Sequence, residues 1–235
     1  MARTPPGAPD VDIDRAAGRV TVSGTFVWSE VRDGIGLART RTPYAVTFDI
    51  AGTPFAPGFV APATGAREDL PARARVAIGD PKFATGADAA RGRGVDAYAA
   101  PPGEAGELPR RGLVVDDFVG PYNVGPLDGD QGYGLVLGFD ADFSALTRVL
   151  AVMRVRQPIV GTDEFTEELY RGDDRFRGAL ELSDLPGGPP GPPRGTARDD
   201  RLAGSAAGES LRARAGDDRV LGRGGDDTLS GGPGA

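Results

Sequence analysis

Apolar and polar positions alternate with a period of two through much of the first 185 residues. In RVTVSGTFVW, Val20, Val22, Phe26 and Trp28 share one side, while Thr21, Ser23 and Thr25 share the other. Successive side chains of a strand point to opposite faces, so this pattern predicts a half-buried strand. After a turn signal at Arg32-Asp33-Gly34, PYAVTFDI repeats the pattern with Tyr44, Val46, Phe48 and Ile50. Pro43 suits the start of that strand, where a missing N–H costs least. Ala74, Val76 and Ile78 alternate with Arg73 and Arg75, which predicts an edge strand with its arginines in water. Further strands are predicted at Leu113–Val115, at Tyr133, Leu135, Leu137 and Phe139, and at Phe176, Leu180 and Leu182.

Other stretches are less regular. Residues 143–155 fit a helical spacing (Phe143, Leu146, Leu150, Met153) and a strand buried on both faces; the strand is preferred from about Arg148 onward. DEFTEELYR (163–171) reads as one or two helical turns, and 51–71 as loop. Residues 80–111 hold few large apolar side chains and read as a long excursion of the kind that is either functional or disordered. Residues 1–14, rich in Pro and Asp, read as a disordered arm. Around 186–194 the run LPGGPPGPPRG cannot pack and predicts a semi-extended linker. The expected fold is all-β: an antiparallel sandwich or barrel-like domain of about seven strands over 15–185, then a separate segment from 195 to 235.

Beyond the linker the period changes from two to nine. The chain reads GTARDDRLA, GSAAGESLR, ARAGDDRVL, GRGGDDTLS and a broken GGPGA. Gly195, Gly204, Ala213, Gly222 and Gly231 begin the repeats. Asp200, Glu209, Asp218 and Asp227 fill the sixth column, and Leu202, Leu211, Val220 and Leu229 the eighth. Two nonapeptides make one turn of a flattened parallel solenoid, in which the eighth-column side chains stack into a thin core. Glycines in the turns admit positive φ and let carbonyls converge. Acidic side chains beside those carbonyls form oxygen-rich pockets suited to a hard cation such as calcium.

With its columns of small, acidic and apolar residues, the segment resembles the hemolysin-type (RTX) nonapeptide repeats, whose pattern is G-G-x-G-x-D-x-apolar-x. The resemblance implies a short parallel β-roll that folds on binding Ca2+. It implies Asp218 and Asp227 as main side-chain ligands, Asp200 and Glu209 contributing from the preceding turn, and Gly216 and Gly225 in the binding turns. It also implies a secreted or surface protein that leaves the cell by a type I route. The pattern is imperfect: the second column holds Thr196, Ser205, Arg214 and Arg223, and six arginines stand against seven acidic residues within 195–235 (Asp199, Asp200, Glu209, Asp217, Asp218, Asp226, Asp227 against Arg198, Arg201, Arg212, Arg214, Arg219, Arg223). Near-balance of charge weakens the field that holds a divalent ion. Ala235 falls inside a repeat with no export signal after it, which reads as a truncated open reading frame.

Composition narrows the chemistry. Neither cysteine nor histidine occurs, which removes disulfides, thiol nucleophiles, Ser-His-Asp and Cys-His catalysis and the H-E-x-x-H zinc motif. Net charge is −7, which disfavours nucleic acid as a partner. No apolar run spans a membrane, and the N-terminus lacks the apolar region of a signal peptide. Asp116-Asp117, Asp128/Asp130 and Asp140/Asp142 are the remaining acid–base candidates, although Asp at strand ends is more commonly a turn residue. Trp28, Tyr44, Tyr122 and Tyr133 either line a sugar-binding face or belong to the core. The function expected is therefore calcium binding. The competing readings are a glycan- or surface-binding module with vestigial repeats and, behind it, a carboxylate-dependent glycan-active enzyme.

Overall fold

The computed structural model describes residues 6–32, 40–79, 87–100, 108–120, 123–124, 127–128, 130–159, 165–174, 176, 178–189, 195–204, 210–232 and 234. The chain divides into two units, Met1–Pro189 and Pro190–Ala235. The first contains strands β1 (Asp10–Asp14), β2 (Arg19–Arg32), β3 (Arg41–Asp49), β4 (Arg67–Gly79), β5 (Ala87–Ala99), β6 (Arg111–Gly120), β7 (Asn123–Val124), β8 (Leu127–Asp128), β9 (Asp130–Phe139), β10 (Ala145–Pro158), β11 (Phe165–Asp174) and β12 (Leu180–Glu181).

These strands settle the choice between sandwich and barrel. The order runs β2-β11-β10-β9-β6-β5-β4-β3, and β3 pairs again with β2, so eight antiparallel strands close a ring. Apart from the small β7–β8 hairpin set into one connection, each strand pairs with the next in sequence, so the barrel runs up and down. Register shifts between Leu70 and Arg73, between Val115 and Phe118, between Leu146 and Arg148 and between Leu169 and Tyr170 bend the strands as closure requires. Closure removes the free edges that a flat sheet would expose. The arginine-bearing strand expected at an edge, β4, accordingly lies between β3 and β5.

Alternation drives the packing. Val20, Val22, Phe26 and Trp28 on β2, Tyr44, Val46 and Phe48 on β3, Leu135 and Leu137 on β9 and Tyr170 on β11 are buried inside. They share the interior with the small Ala72 and Ala74 of β4 and Ala97 of β5, so the barrel is filled rather than hollow. Outward positions of β3 and β4 include Arg41, Thr47, Asp49, Arg67, Arg73 and Arg75. A second, smaller apolar cluster of Val114, Val136 and Leu150, with Tyr98 packed against it, lies apart from that interior. No helix among the described residues is long and apolar enough to cross a membrane.

One end of the barrel is plugged by the 51–66 connection, read from sequence as plain loop. Phe55, fully buried, meets Phe48 at 5.6 Å and Phe139 at 6.0 Å between ring centroids, and Phe59 meets Phe143 at 5.3 Å. Trp28 and Tyr44 are core side chains: the Trp28 indole donates to Thr42 Oγ1 at 2.7 Å, and the Tyr44 ring stacks on Phe26 at 4.1 Å. They form no exposed sugar platform. The side chains of Tyr122 and Tyr133 lie outside the described set.

Three expectations are corrected. Asp10–Asp14, placed in a disordered arm, pairs antiparallel with β2 and buries Val11 and Ile13. Residues 163–171, read as helical, contribute to β11, because that strand's pairings with β10 and β2 close the ring and outweigh local helix propensity. The supposed excursion at 80–111 contains β5, whose inward Val95, Ala97 and Ala99 are too small to announce a core strand. The start of the expected linker is also anchored, since the Arg15 guanidinium donates to the Gly187 carbonyl at 2.7 Å.

The second unit holds β13 (Arg201–Ala203), β14 (Ser210–Arg212), β15 (Arg219–Leu221) and β16 (Thr228–Ser230). β13 runs parallel to β15 and β14 parallel to β16, in two separate sheets. Arg201 faces Arg219, and Ser210 faces Thr228. Each pair is two nonapeptides apart, so one solenoid turn takes two repeats.

Candidate metal centre

The sequence alternates a short strand and a tight turn within each nonapeptide, and the parallel pairing stacks every second turn. Turns 195–200 and 213–218 therefore lie on one side of the roll, with Gly231, Gly232 and Gly234 continuing that stack. The turn at 222–227 lies on the opposite side. Parallel bonds tie the levels: Gly195 N–H donates to the Arg212 carbonyl at 2.9 Å, and Ala213 N–H to the Ser230 carbonyl at 2.8 Å.

Asp200 and Asp218 are brought together. The Asp200 backbone N–H donates to Asp218 Oδ1 at 2.8 Å, and one column earlier the Asp217 N–H donates to Asp199 Oδ1 at 3.0 Å. Within its own turn, Asp200 Oδ2 accepts from the Thr196 N–H at 2.5 Å and the Thr196 hydroxyl at 2.9 Å. These two donors, assisted by the neighbouring Arg198 guanidinium, hold the Asp200 carboxyl below the usual carboxylate range. Thr196, in a column usually filled by glycine, thus caps the turn; the sequence showed the departure but not this role.

The other oxygen of Asp218, Oδ2, is buried and has no hydrogen-bond partner among the described residues. A carboxylate oxygen in that condition is costly unless a cation or a donor meets it. Main-chain oxygens crowd the same stack. A side chain at Gly216 would collide with the Arg198 carbonyl, one at Gly232 with the Arg214 carbonyl, and one at Gly234 with the Gly216 carbonyl. Among the described residues no three acidic side chains converge. Carbonyl oxygens and one or two carboxylates nevertheless form a donor set that suits a hard, oxygen-seeking ion.

Asp227 lies on the far side of the roll, its carboxylate folded against Gly222. Glu209, its counterpart one turn earlier, lies outside the described residues. Gly216 and Gly225 take φ of 130° and 92°, the left-handed region that glycine adopts readily. Arg214 and Arg223 adopt φ of 75° and 74°, in the same column where Gly232 has 79°. The roll keeps its backbone geometry where the consensus glycine is replaced and holds two arginines in a conformation costly for a side-chain-bearing residue. The apolar column is less complete than its periodicity suggests. Leu211 is fully buried, Leu202 and Val220 only partly, and Leu229 is 50% exposed.

Of the acid–base candidates of the first unit, Asp140 and Asp142 belong to one turn. Asp140 closes the β9–β10 turn, accepting from the Ser144 and Ala145 N–H groups at 2.8 and 3.0 Å, while the Ser144 hydroxyl contacts both Asp140 and Asp142. Burial, with Asp142 adjacent, pushes the Asp140 carboxyl up, opposed by donation from Ala145 and Ser144. This is turn chemistry. The side chains of Asp116, Asp117, Asp128 and Asp130 lie outside the described set.

The molecule thus joins an eight-stranded antiparallel barrel to a parallel roll with an 18-residue turn. Residues 203–235 match the family of the RTX calcium-binding nonapeptide repeat (4 copies). No curated protein and no solved structure matches the chain.

Proposed function

We propose that Pro190–Ala235 is a calcium-responsive roll that completes its folding when the ion binds, and that the protein works outside the cell. On one side, Asp218 and Asp200 with the carbonyls of their stacked turns form one site. On the other, Asp227 and Glu209 form its counterpart, with Gly216 and Gly225 allowing the close turns. Bound calcium supplies the positive charge that offsets the mutual repulsion of these carboxylates. At the calcium level of a cytosol the thin core does not hold the roll closed. Extracellular calcium, on the order of millimolar, suits the affinity of about 10⁻⁴–10⁻³ M usual for extracellular modules.

The observation that carries this reading is the buried, unpartnered Asp218 Oδ2 within a stack of main-chain oxygens. The test is a calcium titration of the intact chain by far-UV circular dichroism and calorimetry. A saturable gain of β signal is expected, weakened about tenfold or more by Asp218→Ala, since a charged ligand lost from a buried site costs roughly 1.5–3 kcal/mol. A flat response up to about 10 mM, well beyond the extracellular-module range, sinks the proposal.

A further inference from the structure

The barrel wall has a break. On the edge of β2 away from β3, β1 pairs with Arg19–Ser23 and β11 with Val27–Arg32, leaving Gly24–Phe26 without a strand on that side. Asp174, at the end of β11, fills the gap: its carboxylate accepts from the Tyr44 hydroxyl at 2.7 Å and from the Thr25 backbone N–H. Gly24 is required there, because a side chain would occupy the space of the Asp174 carboxylate and the Tyr44 ring.

Over this break lies a groove of about 740 Å³, bounded by Gly7, Ala8, Val27, Trp28, Arg41 and Arg171, with Asp173 and Asp174 at its base. Its acidic groups are already engaged. Asp173 takes Arg148 through two bonds of 2.9 and 2.6 Å and meets Arg171 at 3.5 Å. Asp174, 8% exposed, is held by Tyr44 and Thr25. Arg41 differs. It is exposed, stands opposite Val27 in the β2–β3 register, and its side chain makes no hydrogen bond or ion pair among the described residues. Arg171 is thus spent on Asp173, and Arg41 is the lining cation left facing the groove among the described residues.

We propose that this groove binds a small organic carboxylate, its carboxylate paired with the Arg41 guanidinium and its apolar body against Ala8 and Val27. A planar guanidinium fork matches a carboxylate through two parallel bonds. Apolar walls with a few convergent polar groups are the usual make-up of a small-molecule site. The Thr25 and Ser29 hydroxyls, exposed beside the cleft, suit a ligand that also carries a hydroxyl.

The ring of Trp28, the chain's single tryptophan, is buried in the core, so binding is read by isothermal titration calorimetry rather than by fluorescence. The intact chain is titrated with benzoate, with benzamide as the neutral counterpart, and with inorganic phosphate, each with calcium and with chelator. Saturable change with benzoate, little with benzamide, and affinity about tenfold lower in Arg41→Gln supports the assignment. Circular dichroism confirms that the variant is folded, as expected for an exposed side chain with no partner. No saturable change up to about 10 mM benzoate, weaker than typical millimolar binding, overturns it. So does equal binding by Arg41→Gln, or phosphate binding more tightly than benzoate. The readout is expected to be indifferent to calcium, so its failure is separate from failure of the roll proposal.

Discussion

The barrel and the roll are both made of strands, yet they reach stability by different means. In the barrel every long strand has a neighbour on each edge, and the ring encloses a filled interior in which Leu137, Leu135 and Trp28 are fully buried. In the roll each described strand has one partner, only Leu211 of the apolar column is fully buried, and the last layer at Leu229 stands half open. Pairing that closes on itself supplies a core without help. Pairing that runs in one direction supplies a core only in proportion to the number of turns. The described turns of the roll bury little apolar surface, and under the proposed function calcium at the stack around Asp218 supplies the remaining stabilisation.

The contrast is testable with one substitution in two places. Leu137→Ala is expected to cost about 2–5 kcal/mol in barrel unfolding, the range for a buried leucine. Leu229→Ala, at a half-exposed position, is expected to cost less than about 1 kcal/mol. Denaturant unfolding with calcium present, followed by a barrel probe and a roll probe, measures both; equal costs would erase the distinction drawn here.

The strained arginines offer a smaller lever. Arg223→Gly removes a left-handed residue worth about 1–2 kcal/mol, so the roll is expected to order at calcium concentrations about fivefold or more lower. Arg214→Gly should act alike on the other side of the roll. The calcium midpoint of each variant decides this, and an unchanged midpoint would show that neither backbone is strained when folded.

The smallest effect concerns pH in the barrel. Burial raises the Asp174 carboxyl above its unfolded value, against donation from Tyr44 and Thr25. Stability from the neutral form is therefore fully present below the unfolded carboxylate range, and is lost as pH rises through the higher folded value. Asp174→Asn keeps an acceptor for Tyr44 but cannot ionise. Its melting temperature is expected to fall less than that of the parent protein between about pH 4 and pH 7, where a raised carboxylate titrates. Parallel melting curves across that window would contradict the shift.

Strand content and the roll were readable from periodicity because alternation and a nine-residue repeat are properties of the local chain. Val20, Val22, Phe26 and Trp28 announce β2, and the acidic and apolar columns announce parallel turns from the sequence alone. Where side chains are small, as at Ala97 and Ala99, no contrast exists between the faces and β5 passed unread. Where local preference opposed the fold, as in FTEEL, the signal pointed the wrong way, because a strand position on a closed ring is decided by its neighbours. The candidate metal site was legible at the level of columns: Asp200 and Asp218 are two repeats apart and meet. That Thr196 caps Asp200, or that Arg214 and Arg223 keep a glycine-like backbone, depends on dihedral angles that no residue count reveals.

The sequence alone determined that this protein is all-β, that its end is a stack of nonapeptides with an acidic residue in each turn, and that histidine and cysteine chemistry is absent. Only the tertiary structure decided that the first unit closes as a barrel, that Phe55 plugs one end, and that β1 and β11 share one edge of β2. The physical reason is range. Periodicity records which face of each residue meets water. Ring closure, the break at Gly24–Phe26 and the groove above it arise from pairings between residues up to 146 positions apart, such as Val27 and Asp173.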